Sequence, residues 1–269
     1  MIRKLLCCVL AMTALGVHAQ LTVRSASGAN PAAIQATVDQ FRADLGGANN
    51  GVGVFSGVGG RREVNWDAVP NGFSAPNTLP AGFFNQNSQR GLFFVASPPV
   101  NGFMVSDTST SGNGVGVEFT NLNATYAAQF QPFSAQKLFT PLSGNVCDII
   151  FFVPLTGSAV AGNVPATVSG FGLVFADVDI AGTTALQAFD ANDVSIGAFA
   201  ASPSAGGLSF LGIHLNGGDQ GIARVRVSLG NAAIGPDDSP GSPNFRDIVV
   251  TDDFIYGEPV PILLKDGFE

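Results

Sequence analysis

The sequence predicts a mainly β fold, an antiparallel β-sandwich or jelly roll with one N-terminal α-helix. Three observations carry this. Short apolar or alternating runs recur through the C-terminal half, roughly 8–15 residues apart, with turn residues between them. The strand-then-helix rhythm of a parallel α/β sheet is absent, so a nucleotide-binding α/β fold is not expected. Hydrophobic residues make up 46% of the chain and charged residues only 12%, a balance that favours burial in sheets over exposed helices.

The chain begins with a basic pair, Arg3 and Lys4, followed by the apolar stretch Leu5–Gly16. That stretch is too short to span a bilayer, and Val17-His18-Ala19 suits a signal peptidase. Residues 1–19 are therefore expected to be a signal peptide cut between Ala19 and Gln20, leaving a secreted protein, extracellular or periplasmic. Residues 20–258 are expected to form a single sandwich domain and 259–269 a C-terminal tail. Losing Arg3 and Lys4 leaves ten basic and twenty acidic side chains, net −10. An acidic chain is repelled by nucleic acid and by anionic membranes, so neither is an expected partner. No later segment has the length of apolar residues a transmembrane helix needs.

Beyond the signal, Asn30 can cap a helix and Pro31 suits its first turn. Ala33, Ile34, Val38, Phe41 and Leu45 recur at helical spacing and Gly46-Gly47 ends the pattern, predicting a helix over 30–46. Residues 46–61 are rich in Gly and Asn and read as loop. The run 61–67 holds the one tryptophan, Trp66. Residues 68–90 carry Pro, Gly and Asn at short intervals around Phe73, Phe83 and Phe84, predicting an irregular Phe-rich segment. Residues 91–96 read as a strand, 106–114 as a polar loop and 115–119 as an alternating strand. The run 145–152 reads as a buried strand around Cys147, the one cysteine outside the signal, so no intramolecular disulfide is expected. Further strands are expected at 168–178 (one strand or two short ones), 185–189, 196–200, 208–215, 222–229 and 247–256.

Arg62-Glu63-Val64-Asn65-Trp66-Asp67, Thr125 to Ser134, Gly170 to Asp179, Gly207 to Gly212 and Asp252 to Gly257 form a recognisable set. On these residues the chain resembles a group of uncharacterised, secreted bacterial proteins, some of which carry surface-sorting tails of the PEP-CTERM type. The resemblance implies an extracytoplasmic β-sandwich and no established activity, so it carries over no catalytic residue. Glu258-Pro259-Val260-Pro261 is similar to the start of a sorting tail, but no apolar helix with a basic end follows. The closing Asp266-Gly267-Phe268-Glu269 resembles the short termini of some secreted gammaproteobacterial proteins.

Few residues could carry catalysis. His214 is the one histidine after the signal, so a zinc site of His and Cys lacks ligands. A serine triad would need His214, yet it lies in an apolar run and no Gly-x-Ser-x-Gly elbow occurs. No catalytic residue is assigned. Carboxylate pairs are the remaining enzymatic option, since a glycan hydrolase needs two facing acids. Asp177 and Asp179 share a strand face by period two, while Asp252 and Asp253 point to opposite faces.

Calcium is the ion that suits such oxygen-rich loops, and a structural calcium is the one cofactor the sequence suggests. Its candidate ligands are Asp190, Asn192 and Asp193 in one turn and Asp252 and Asp253 near the end of the sandwich. Pro236-Asp237-Asp238-Ser239 is a second oxygen-rich loop. For an extracellular glycan or surface matrix as partner, the candidate aromatic platforms are Trp66, Tyr126 and Tyr256. The function expected from these residues is that of a secreted, non-catalytic binding or structural protein. A carboxylate-based glycan hydrolase or lyase and a calcium-stabilised structural module are the alternatives.

Overall fold

A computed structural model describes residues 20–53, 59–108, 116–134, 136–154, 163–216, 221–238 and 245–262. The signal peptide expected over 1–19, most of the 106–114 loop and the tail beyond Ile262 lie outside the described residues.

The chain opens with β1 (Gln20–Gly28), α1 (Pro31–Leu45), β2 (Arg61–Val64), the short α2 (Phe83–Gln86), β3 (Leu92–Ala96) and β4 (Gly102–Val105). It continues through β5 (Phe139–Leu142), β6 (Val146–Phe152), β7 (Pro165–Thr167), β8 (Gly170–Val178) and β9 (Ala185–Phe189). The last elements are β10 (Ser195–Ala200), β11 (Ser204–Asn216), β12 (Arg224–Ser228), β13 (Val250–Gly257) and β14 (Val260–Pro261). They form two antiparallel seven-stranded sheets. One runs β1-β11-β8-β13-β5-β4, with β2 also on β13; the other runs β10-β9-β12-β6-β7-β14, with β3 also on β6. The predicted antiparallel sandwich with one long N-terminal helix is the observed architecture.

The first sheet is the middle layer of the molecule. Period two along β8 sends Phe171, Leu173 and Phe175 into the core shared with the second sheet. Val174 and Ala176 point the other way, into a second core under α1. With both faces covered, β8 is buried along its whole length, which explains its nearly unbroken apolar sequence. In the second sheet one face packs into the core, and among the described residues the other is partly exposed. There β12 alternates, with Val225 and Val227 in the core and Arg224 and Arg226 half-exposed.

Helix α1 starts where Asn30 accepts the backbone N–H of Ala33 at 3.3 Å and ends at Gly46, whose N–H reaches Ala43 O. Ile34, Val38, Phe41 and Leu45 are its buried stripe. The ring of Phe41 lies over Gly172 of β8 and Gly212 of β11, a cross-strand pair in the middle layer.

The inter-sheet core is an aromatic stack. Trp66 lies nearly parallel to Phe139 at 4.4 Å between centroids, and Phe139 stacks on Phe94 at 4.6 Å. Phe254 meets Trp66 edge-on at 4.9 Å. These offset and edge-to-face pairs each add about 0.5–1.5 kcal/mol beyond their area.

Several segments differ from the sequence expectation. Residues 116–120 form a turn with an isolated bridge from Val117 to Asp107, because Gly116, Glu118 and Phe119 all take positive φ; the strand expected over 115–119 is corrected. The 168–178 run holds one strand, β8, with Val168 in an isolated bridge to Ile222, and β7 lies just ahead of it. Strands β1, β4 and β5 are additions, and β1 pairs with β11 along its full length.

Candidate functional site

The aromatic residues considered as sugar platforms are inside the molecule. Trp66, Tyr126 and Tyr256 are 1%, 0% and 0% exposed. Trp66 follows β2 with φ 63, which turns its ring back into the aromatic stack. Tyr126 donates its hydroxyl to Pro236 O at 2.8 Å and accepts from Gly235 N at 2.7 Å, and burial pushes its pKa up to about 12. Tyr256 donates to Arg90 O at 3.0 Å, and burial raises its pKa too. A stacking platform needs one wet face, so the expectation that these rings meet a glycan is corrected.

The expected calcium ligands fall in two separate places. Asp190, Asn192 and Asp193 form the β9–β10 turn on the second sheet, while Asp252 and Asp253 lie in β13 of the first. Asp190 accepts the N–H groups of Asn192 and Val194, both at 2.9 Å. Asn192 is exposed, and Asp193 pairs with Arg224. Asp252 accepts from Phe133 N at 2.6 Å, Ser134 N at 3.0 Å and Asp253 N at 2.7 Å. Asp253 accepts the Ser134 hydroxyl at 2.7 Å and lies 3.5 Å from the Arg42 guanidinium. Burial raises both pKa values, Asp252 well above its ordinary range, and the Asp253 charge pushes Asp252 further. Both oxygens of Asp252 and of Asp253 are taken by protein donors, and in the β9–β10 turn one oxygen each of Asp190 and Asp193 is taken, so both groups hold chain segments together.

His214 lies on β11 opposite Thr22 of β1 and Gly170 of β8. Its Nδ1 has no hydrogen-bond partner among the described residues, and burial lowers its pKa. Burial pushes the Cys147 thiol up to about 12, leaving it protonated and unreactive.

A different acidic group does come together. Asp177, at the end of β8, Asp179, just after it, and Asp238, in the segment ahead of β13, offer carboxylate oxygens all within 4.8 Å of one another. The sequence marks the Asp177–Asp179 pair and the 236–239 loop as separate features, and nothing in their spacing shows that they meet. Nor is strand periodicity what unites the pair: Asp177 has φ 65 and β8 ends at Val178. The backbone turns there and folds both acids towards Asp238.

The local donors are few. Gly206 N binds Asp177 Oδ1 at 2.6 Å, and Ile248 N binds Asp238 Oδ1 at 3.0 Å. Asp238 is fully buried, yet among the described residues its Oδ2 has no hydrogen-bond partner, and neither oxygen of Asp179 has one. Beside them, Asp247 accepts from Asp179 N at 3.1 Å and Ile180 N at 3.3 Å, and from the Thr183 hydroxyl. Burial, reinforced by the neighbouring carboxylates, pushes Asp179 up to about 6 and Asp238 to about 9. Burial raises Asp177 as well. Among the described residues no Lys or Arg forms an ion pair with any of the three. Chemically, such a trio can take up protons or hold a hard cation.

Comparison with known proteins gives no family model, no curated protein and no solved structure that matches this chain.

Proposed function

We propose that this chain is a secreted, non-catalytic structural module of an extracytoplasmic surface or matrix, working after removal of residues 1–19. The observation that carries the reading is the use to which its carboxylates are put. Asp252 and Asp253 tie the 133–134 segment to β13, and Glu258 holds Arg62 in a two-point pair at 2.7 Å and 2.7 Å. Asp247 ties the β8–β9 turn to the segment ahead of β13. Each joins chain segments distant in sequence, the task disulfides perform in many exported proteins. The leader-like 1–19 segment and the resemblance to secreted bacterial sandwich proteins support the same reading.

The half-exposed face of the second sheet suits contact with such a matrix. Phe93 of β3 meets Phe152 of β6 edge-on at 5.9 Å, and Arg224 and Arg226 of β12 flank Asp148 of β6. Incubation of the chain from Gln20 onward with isolated surface polysaccharide and cell-wall material tests the reading. Saturable co-sedimentation without release of soluble sugar is the expected result. Release of many sugar ends per protein molecule would make it a glycan hydrolase or lyase and overturn the proposal.

A further inference from the structure

We propose that Asp177, Asp179 and Asp238 form a calcium-binding site that ties the segment ahead of β13 to the end of β8. The site is independent of the role proposed above; it draws Asp238 from the oxygen-rich 236–239 loop and is separate from the Asp190–Asp193 and Asp252–Asp253 groups. Two observations point to a ligand. The three oxygens lie within 4.8 Å of one another, inside the diameter of a calcium oxygen shell, about 4.6–5.2 Å from its metal–oxygen distances. The second is the enclosed Oδ2 of Asp238, on a side chain with no exposed surface, which receives no N–H, hydroxyl or cationic donor among the described residues and has only the neighbouring carboxyl groups for company. Buried carboxylate oxygens are ordinarily matched by N–H, O–H or cationic groups. The buried carboxylates Asp247, Asp252, Asp253 and Glu258 meet that rule with both oxygens, and this group does not.

The way the ligands are held fits a metal. Backbone N–H groups of Gly206 and Ile248 bind Oδ1 of Asp177 and of Asp238, which orients the two carboxyl groups towards each other and leaves Oδ2 of Asp238 without an N–H or hydroxyl donor among the described residues. Asp179 brings two oxygens with no protein partner. The donor set is all oxygen, which suits a hard cation. Its three acids come from a strand end and an irregular segment. Calcium accepts such flexible geometry, whereas magnesium demands a near-ideal octahedron and keeps its waters. Backbone carbonyls and water complete a calcium shell.

The cation would act on a defined piece of chain. The segment carrying Asp238 also holds Gly235 and Pro236, which bind the Tyr126 hydroxyl, and Asp247, which anchors the β8–β9 turn. Without a cation, the trio must take up protons to close, and any carboxylates left charged repel one another. With one, the same charges draw it down.

The test uses the chain from Gln20 onward, stripped with chelator, and Ca2+ itself as probe. One Ca2+ per chain by equilibrium dialysis is expected. Calcium at a hundred times its Kd raises the folding equilibrium constant about 100-fold, seen as a higher Tm. Asp179→Asn is the informative variant: its oxygens receive no protein donor, so the change orphans no partner and the fold should survive. It should weaken calcium binding at least tenfold, while Asp190→Asn should leave binding unchanged. No binding at millimolar calcium, or a Tm indifferent to calcium and chelator, overturns the proposal. So does full calcium affinity in Asp179→Asn, or a loss confined to Asp190→Asn. An equal response to Mg2+ overturns the choice of calcium.

Discussion

Gly172 and Gly212 face each other across β8 and β11, and the ring of Phe41 occupies the space their missing side chains leave. A Cβ on Gly212 would lie 2.7 Å from Phe41 Cδ2 and Cε2, and one on Gly172 would lie 2.8 Å from Cε1. Phe41 is fully buried and cannot swing into solvent. Gly212→Ala should therefore destabilise the protein by about 1–3 kcal/mol through overpacking. Phe41→Leu made with it should recover part of that loss, a coupling readable in a double-mutant cycle of urea denaturation. Simple addition of the two single costs would show that the ring and the glycines do not determine each other.

Arg62 and Glu258 are both essentially unexposed, and their pair is two-pronged. Arg62 also donates through Nη1 to Gly51 O at 2.9 Å and Gln89 O at 3.2 Å. Glu258→Ala leaves a guanidinium enclosed without its counter-charge, and a loss of about 3–5 kcal/mol is expected. Equilibrium denaturation at neutral pH measures it. A cost below 1 kcal/mol would mean that water reaches the site when the glutamate is removed.

Asp252 offers a graded comparison. Its carboxyl group receives three backbone N–H groups, so Asp252→Ala should cost roughly 1–3 kcal/mol for each donor left unsatisfied. Asp252→Asn keeps an accepting oxygen and removes the repulsion with Asp253, so it should cost less than the alanine change. Matched thermal melts of the two variants decide it, and the reverse order would show that the negative charge itself is what the 133–134 segment requires.

His214 should titrate below its ordinary value of 6.5, since burial disfavours the imidazolium more than nearby Asp44 favours it. The sign for stability follows. A depressed folded-state pKa means that the unfolded chain binds the proton first, so the contribution is present above about 6.5 and is lost as pH falls through the folded value. After removal of residues 1–19 it is the single histidine, so one imidazole resonance reports it by NMR. His214→Gln should flatten stability across that window. An apparent pKa above 6.5 would instead show that Asp44 governs the ring.

Much of this architecture can be read in the residues, and the exceptions have causes. Helix α1 is legible because Asn30, Pro31 and Gly46 each do a local job. Strands β9 and β12 are legible because a half-buried strand writes period two into its side chains, and β11 and β13, buried on both faces, are legible from their β-branched and aromatic residues. Strand β1 carries the same alternation through Leu21 and Val23, but its other residues are small or polar and weaken the pattern. Strands β4 and β5 are only four residues long, and Pro141 breaks the signal of the second. In 115–119 the alternation is present but the backbone of Glu118 and Phe119 is left-handed, which side-chain pattern does not reveal. The acidic trio depends on the segment ahead of β13 passing the end of β8, a tertiary event with no local trace. Likewise, a tryptophan's identity does not say which of its faces the phenylalanines will cover.

The pairing of Gln20 with Asn216 sets a timetable for maturation. Any polypeptide emerging N-terminus first, from a ribosome or a translocation pore, must keep its opening strand waiting until β11 has followed. Closing so large a loop is entropically costly, and long-range β topology of this kind folds slowly. The middle layer is thus complete only once β11 and β13, both late in the chain, have joined β1 and β8.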